Sequence, residues 1–406
     1  MSSRADSVIF RRPPRRWLRW LVAVAVGVVA LVLALYGWAW LSLDRSSIAR
    51  AMIWMDADVG DRQRFPARSI PADGDASPLP EAPEIAIDAV PVGAARMSAG
   101  FDDFLRDTGT HAFLVVHADR LVYERYFGGS DRQTLETSFS VAKSFLSTLV
   151  GIAIDERLIG SIDDPVTQYL PELVDRDPRF ESITIRHLLT MSSGLRYEEQ
   201  ELPLPWGDDV ETYYGTDLRD LALTKTEIER PPGQSWLYNN YNPLLLGMVL
   251  ERATGTSVSE YMATRLWQPL GAERDATWSL DSERSGFEKM ESGLNATAAD
   301  YARFGLLLLY EGVWNDTRIV SRGWVRAATS AQVTSSVMTP YGYFWWVDAV
   351  RPERFYGAGN FGQYVYVAPD ADTVIVRLGR DYGVDSSTWR AIFREIADQL
   401  AGEPER

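Results

Sequence analysis

The residues best suited to chemistry lie in one short stretch, Thr137-Ser138-Phe139-Ser140-Val141-Ala142-Lys143-Ser144-Phe145, which opens an apolar run. Ser140 and Lys143 stand three apart, one turn of a helix, so their side chains share a face. At the N-terminus of that helix Ser140 meets free N–H groups and the positive end of the dipole, which favour a developing alkoxide. Lys143 lies one turn further in, where desolvation lowers an ammonium pKa. A neutral amine beside a hydroxyl can take its proton, which is the Ser–Lys form of an activated nucleophile. Residue choice adds weight. Of 41 basic residues only Lys143, Lys225 and Lys289 are lysine. An arginine in the apolar helix would be too basic to give up its proton. The competing reading makes Lys143 a snorkelling cation and Ser140 a helix cap.

Other catalytic groups are scarce. The three histidines are His111, His117 and His187. The first two flank a strand-like run and the third sits in an apolar helix, so core or surface roles are expected. Cysteine is absent, which excludes a thiolate nucleophile, a disulfide framework and a cysteine metal site. No paired-histidine zinc pattern is present either, and neither metal nor cofactor is expected. The adjacent acids Asp163-Asp164, Glu198-Glu199 and Asp208-Asp209 read as solvated pairs in a chain with 56 acidic residues. Gly357-Ala358-Gly359-Asn360-Phe361-Gly362 matches Gly-x-Gly-x-x-Gly, but a strand-like run follows where the dinucleotide fingerprint needs a helix. These glycines are read as letting the backbone approach a ligand or a neighbouring strand. The net charge of −15 argues against nucleic acid as a partner.

The elements that must position these residues follow from pattern. Residues 1–20 are a basic tail. Residues 21–43 run without a charge, long enough to span a bilayer, with arginines before them and tryptophans at both ends. This predicts an uncleaved membrane anchor, with the N-terminus cytosolic and the body periplasmic or otherwise extracytoplasmic. A cleaved signal peptide is the rival reading. Residues 44–95, rich in Asp, Pro, Ala and Gly, read as a linker with little structure of its own, apart from a short interfacial helix over 48–55. The folded domain is expected over 96–406. Strands are expected over 111–117 and 120–127, joined by Ala118-Asp119 as a hairpin. Further strands are expected over 341–347, 363–367 and 373–378, and helices over 140–156, 183–191, 244–253, 258–266, 298–310, 324–331 and 387–401. Strands at both ends with helices between predict one sheet built from both ends of the domain, interrupted by a helical lobe.

Taken together and in order, several motifs resemble the serine β-lactamase and penicillin-binding-protein superfamily. They are Ser140-Val141-Ala142-Lys143, Ile185-Arg186-His187-Leu188-Leu189-Thr190-Met191-Ser192-Ser193-Gly194, and Pro232-Gly233 with Tyr238-Asn239-Asn240. Gly293-Leu294-Asn295-Ala296-Thr297, Tyr343-Phe344-Trp345-Trp346 and Gly362-Gln363 narrow the resemblance to class C β-lactamase-like hydrolases similar to 6-aminohexanoate-dimer hydrolases. The resemblance implies an α/β (α+β) fold: a mainly antiparallel sheet flanked by helices, an all-helical lobe, and one transmembrane helix ahead of them. It makes Ser140 the nucleophile, Lys143 and Tyr238 the base and proton relay, and Asn240 a neighbour of the substrate amide. A phenol beside an ammonium is expected to be pushed towards phenolate. Gly359 and the N–H of Asn360 would complete an oxyanion hole with the N–H of Ser140. The family's third motif carries Lys-Thr-Gly or His-x-Gly. Here Gly357-Ala358-Gly359 stands in its place without a cation, unless the register starts at Arg354. The expected activity is therefore hydrolysis of a small-molecule ester or amide through an acyl-enzyme. The alternatives are a penicillin-binding carboxypeptidase or β-lactamase, and an inactive binding protein of the same fold.

Overall fold

The computed structural model describes residues 15–74, 78–84, 100–199 and 206–402. Period-two alternation sorts its main sheet into two faces. Along Thr110–His117, Ala112, Leu114 and Val116 enter one core while Phe113 and Val115 enter another. The same split recurs along Gln363–Ala368 and Thr373–Gly379, with Val365, Val367, Val374 and Val376 on one side and Tyr364, Tyr366 and Ile375 on the other. A sheet with both faces apolar must be covered twice. The C-terminal helix Ser386–Ala401 covers one face, where Trp389, Phe393 and Ile396 join Phe113 and Tyr366. Helices Ala142–Asp155 and Ala298–Leu309 cover the other and lead into the helical lobe.

Among the described residues this sheet has eight strands, all neighbours antiparallel. The order is Arg120–Tyr126, Thr110–His117, Thr373–Gly379, Gln363–Ala368, Phe355–Gly359, Trp346–Val347, Pro340–Tyr341, Val333–Thr334. The N- and C-terminal parts therefore meet in one sheet, with Val374 opposite Val116 and Val376 opposite Leu114. This is the mixed fold that the pattern implied. The hairpin turn is also as expected: Ala118 and Asp119 both have positive φ, 47° and 62°, as a two-residue hairpin loop matched to strand twist requires. The strand expected over 341–347 is instead two short strands, Pro340–Tyr341 and Trp346–Val347, with Tyr341 opposite Trp346. The chain reverses between them through Phe344 at φ 58°.

A second, four-stranded sheet was not anticipated. It runs Ala67–Ile70, Ala276–Ser279, Leu294–Ala296, Glu136–Thr137. Its first strand belongs to the stretch read as a linker, so that reading needs correction for the early part of 44–95. Helix Ser47–Trp54, a 3-10 turn at Val59–Gln63 and the strand Ala67–Ile70 are all built onto the body. The local composition is loop-like, but a few long side chains supply the tertiary contacts. Arg50, only 2% exposed, donates to the carbonyls of Tyr214, Gly215 and Asp281 at 3.3, 3.1 and 2.6 Å. Residues 75–77 and 85–95 of that stretch lie outside the described residues, as do residues 1–14 of the basic tail. Upstream, Arg15–Leu41 is a continuous helix whose segment Arg19–Leu41 is long and apolar enough to cross a membrane.

Candidate active site

The smaller sheet leads into Ser140, the candidate nucleophile. Strand Glu136–Thr137 pairs with Leu294–Ala296, and the next residue, Ser138, donates its N–H to Leu294 O at 2.8 Å. Phe139 then adopts φ 42°, a left-handed conformation that costs a bulky residue about 1–3 kcal/mol. Ring contacts hold it there. Phe139 stacks on Tyr213 at 6.3 Å and meets Phe361 edge-on at 5.2 Å. The chain turns sharply through the 3-10 segment Phe139–Val141 and enters the buried helix Ala142–Asp155. Ser140 sits on that turn, facing a cavity of about 540 Å³.

Lys143 lies one turn inward and is 1% exposed. Its Nζ is 2.9 Å from Ser140 Oγ and 2.8 Å from the carbonyl oxygen of Glu291. Burial dominates its titration and lowers the pKa from 10.5 to about 7, although the carboxylates of Glu291 and Glu199 both favour the ammonium. Near neutral pH a large fraction is thus free amine. Such an amine donates to Glu291 O and accepts from the Ser140 hydroxyl.

Tyr238 lies across the same space. Its ring stacks on Trp346 at 6.2 Å, leans on Trp236 at 6.1 Å, and has Lys143 Nζ 4.9 Å from its centroid. Ser140 beside its hydroxyl favours the phenolate, but less than burial opposes it. The expected drift towards phenolate is reversed. Burial raises the phenol above its ordinary 10, with Glu199 adding to the rise. The reason is that the same burial strips Lys143 of the charge that would have stabilised a phenolate. The geometry therefore presents an amine base and a neutral phenol, a proton acceptor and a proton donor on either side of one serine.

Strand Phe355–Gly359 closes the opposite wall. A Cβ at Gly359 would lie 3.0 Å from Ser140 N and would also press on Ser138 O, so only glycine lets this strand pass the Ser140 turn. A Cβ at Gly357 would likewise lie 3.1 Å from Ser144 Oγ. The glycine run thus serves close packing, and a strand follows it. Asn360 lines the cavity, and Gln363 Nε2 donates to its carbonyl at 3.1 Å. Asn240 is turned towards Tyr197, whose Oη accepts from its Nδ2 at 2.9 Å, while its buried Oδ1 has no hydrogen-bond partner.

Arg354 does not supply the missing cation. It is buried against Asp370 and Asp398, bridging the strand and the C-terminal helix. The cavity is lined instead by Arg390 of that helix, whose Nη1 donates to Ser386 Oγ at 3.2 Å and whose guanidinium lies 5.9 Å from the Tyr356 centroid. Arg390, Tyr356, Trp236 and the Glu291 carbonyl were not singled out from sequence. Trp346 was noted only as part of a motif. The histidines take other roles: His111 meets Glu136, His117 meets Thr373, and His187 caps its own helix with Thr184. Among the described residues no cluster of acids and histidines is arranged to hold a metal.

A family model described as Beta-lactamase matches residues 101–392. The 6-aminohexanoate-dimer hydrolase of Paenarthrobacter ureafaciens is 30% identical over 343 residues, covering 77% of this chain and 82% of that protein. Esterase EstB of Burkholderia gladioli is 33% identical over 212 residues, 47% of this chain and 53% of its own. Among solved structures, a 6-aminohexanoate-dimer hydrolase-like protein from Bacillus anthracis matches with a TM-score of 0.75 at 25% identity, covering 86% of this chain and 94% of that one. Similarity that runs through nearly all of the folded body, with hydrolases among the relatives, means that this chain belongs to the Beta-lactamase family, on its 6-aminohexanoate-dimer-hydrolase-like side.

Proposed function

We propose that the protein is a membrane-anchored serine hydrolase that cleaves an ester or amide through an acyl-enzyme on Ser140. The observation that carries this reading is a buried lysine with a pKa near 7, its Nζ 2.9 Å from a serine hydroxyl on a strained turn. Lys143 takes the Ser140 proton as Oγ attacks the substrate carbonyl. The N–H groups of Ser140 and Asn360 receive the oxyanion, each worth roughly 10²–10³ in rate. Tyr238 passes a proton to the leaving group, and water then releases the acyl group with the same residues in reverse. Asn240 borders the substrate amide. The helix over 19–41 spans the bilayer, with residues 1–14 on the cytosolic side and the catalytic unit outside.

The aromatic walls formed by Trp236, Trp346 and Tyr356 suit an alkyl chain. Arg390 on the same cavity suits a carboxylate at its end. A linear amide of an amino acid, as in the name of the Paenarthrobacter relative, combines these features. Arg390 also keeps open a second reading, a carboxypeptidase that holds a peptide C-terminus. Fluorophosphonate labelling of the purified protein, with Ser140→Ala beside it, tests the hydrolase reading. An adduct on Ser140 supports it, and absence of an adduct on folded protein rejects it. Capture of a labelled penicillin would favour the carboxypeptidase.

A further inference from the structure

Between the apolar helix and the body there are only residues 42–46. Helix Ser47–Trp54 follows at once, capped by Ser46, whose Oγ accepts from Ala49 N at 3.2 Å. One face of this helix is committed to the body. Ala49 and Arg50 are buried, and Trp54 meets Phe65 and Tyr214 edge-on at 5.0 and 6.0 Å. Arg50 also donates from Nε to Leu43 O at 2.8 Å, so one guanidinium ties the end of the apolar helix to the catalytic body. Ala39 of the apolar helix is itself fully buried. The opposite face carries Ile48 and Met52, 42% and 38% exposed, and Met55, 67% exposed, follows just past the helix as its C-cap at φ 63°. Four residues apart, Ile48 and Met52 share one face of the helix, and with Met55 beyond its end they make a short apolar stripe.

We propose that this stripe lies in the surface layer of the bilayer crossed by the apolar helix, so that the catalytic body is mounted on the membrane rather than swinging from a tether. The inference rests on the anchor reading above. Chain length identifies the occupant. Five residues reach at most about 17 Å, and the Arg50 bond to Leu43 shortens that reach. If residues 19–41 span, the Arg50 bond to Leu43 holds this helix, and the stripe with it, at the bilayer surface. Asp44, Asp56 and Asp58 beside it are exposed and outnumber the exposed Arg45, so attraction to anionic lipid does not hold it. Apolar insertion does, and a zwitterionic bilayer is sufficient.

The absence of cysteine allows a clean test. Full-length protein carrying one of Ile48→Cys, Met52→Cys, Met55→Cys, Leu31→Cys or Arg179→Cys is labelled with a polarity-sensitive fluorophore and reconstituted into phosphatidylcholine vesicles. The three stripe positions are expected to show blue-shifted emission and loss of emission to nitroxide-labelled lipid, between the deep Leu31 site and the aqueous Arg179 site. Water-like emission at all three, with Leu31 in lipid, overturns the mount and leaves the anchor standing. Water-like emission at Leu31 removes the anchor and the mount together. A blue shift without quenching by lipid means that protein covers the stripe, as in a dimer, and also overturns the proposal.

Discussion

Replacing Lys143 by methionine should stabilise the fold while it removes the base. The lysine pKa falls from 10.5 to about 7 on burial. Between those values the unfolded chain holds a proton that the fold has released, so stability conferred at this position rises with pH. At about 1.4 kcal/mol per tenfold change, keeping lysine here costs about 4 kcal/mol at pH 7 and about 1.4 kcal/mol at pH 9.5. Methionine avoids this but loses the contacts to Ser140 Oγ and Glu291 O, a roughly constant loss of about 1–3 kcal/mol. Lys143→Met is therefore expected to be more stable than the parent by about 1–3 kcal/mol at pH 7. By pH 9.5 that advantage should shrink by about 3 kcal/mol. Urea unfolding of the detergent-solubilised protein, followed by tryptophan fluorescence at the two pH values, measures both numbers. A difference that does not change with pH would mean that Glu291 and Glu199 keep the ammonium charged inside the fold. The base would then have to be another group.

The same titration should govern catalysis: the rate at which a fluorophosphonate phosphonylates Ser140, with loss of fluoride, should rise about tenfold per pH unit below 7 and level off above it. Glu199→Gln removes one of the carboxylates that favour the ammonium, so the midpoint of that profile should move to lower pH. Tyr238→Phe should slow amide or ester turnover about 10²–10⁴-fold with the fold intact by circular dichroism. Gly359→Ala forces a methyl to within 3.0 Å of Ser140 N. It should lower stability by about 1–3 kcal/mol and acylation by about 10²–10³, read by thermal unfolding and labelling rate.

The parts of this site that were legible in sequence are those made by side chains with few chemical equivalents. A lysine three residues after a serine, in a chain that otherwise uses arginine, names its own partner. The single sheet built from both ends of the domain was legible because strand-like runs lay near both ends with helices between them. Glu291 escaped because it contributes a carbonyl oxygen, which any residue could supply. Arg390 escaped because it reaches the cavity from a helix 250 residues away from Ser140, and an arginine on an amphipathic helix reads as solvated. The segment 47–70 looked like a tether because its elements are short and are held by Arg50, Trp54 and Phe65 rather than by propensity. Tyr238 was assigned the wrong direction of titration because sequence shows a neighbouring cation without showing the burial that discharges it.

The seam of the main sheet has a consequence for how the enzyme comes into being. Thr110 and Arg377 bond across it although 267 positions separate them, and the strand ending at Gly359 abuts the Ser140 turn from the same late part of the chain. Contacts this distant in sequence form slowly, because a long loop must close before they reward it. A ribosome that has made the nucleophile, its lysine and the whole helical lobe has not yet made the strand that completes the cavity. On the proposed mechanism, Ser140 would lack the N–H of Asn360 and its facing wall until that strand is in place.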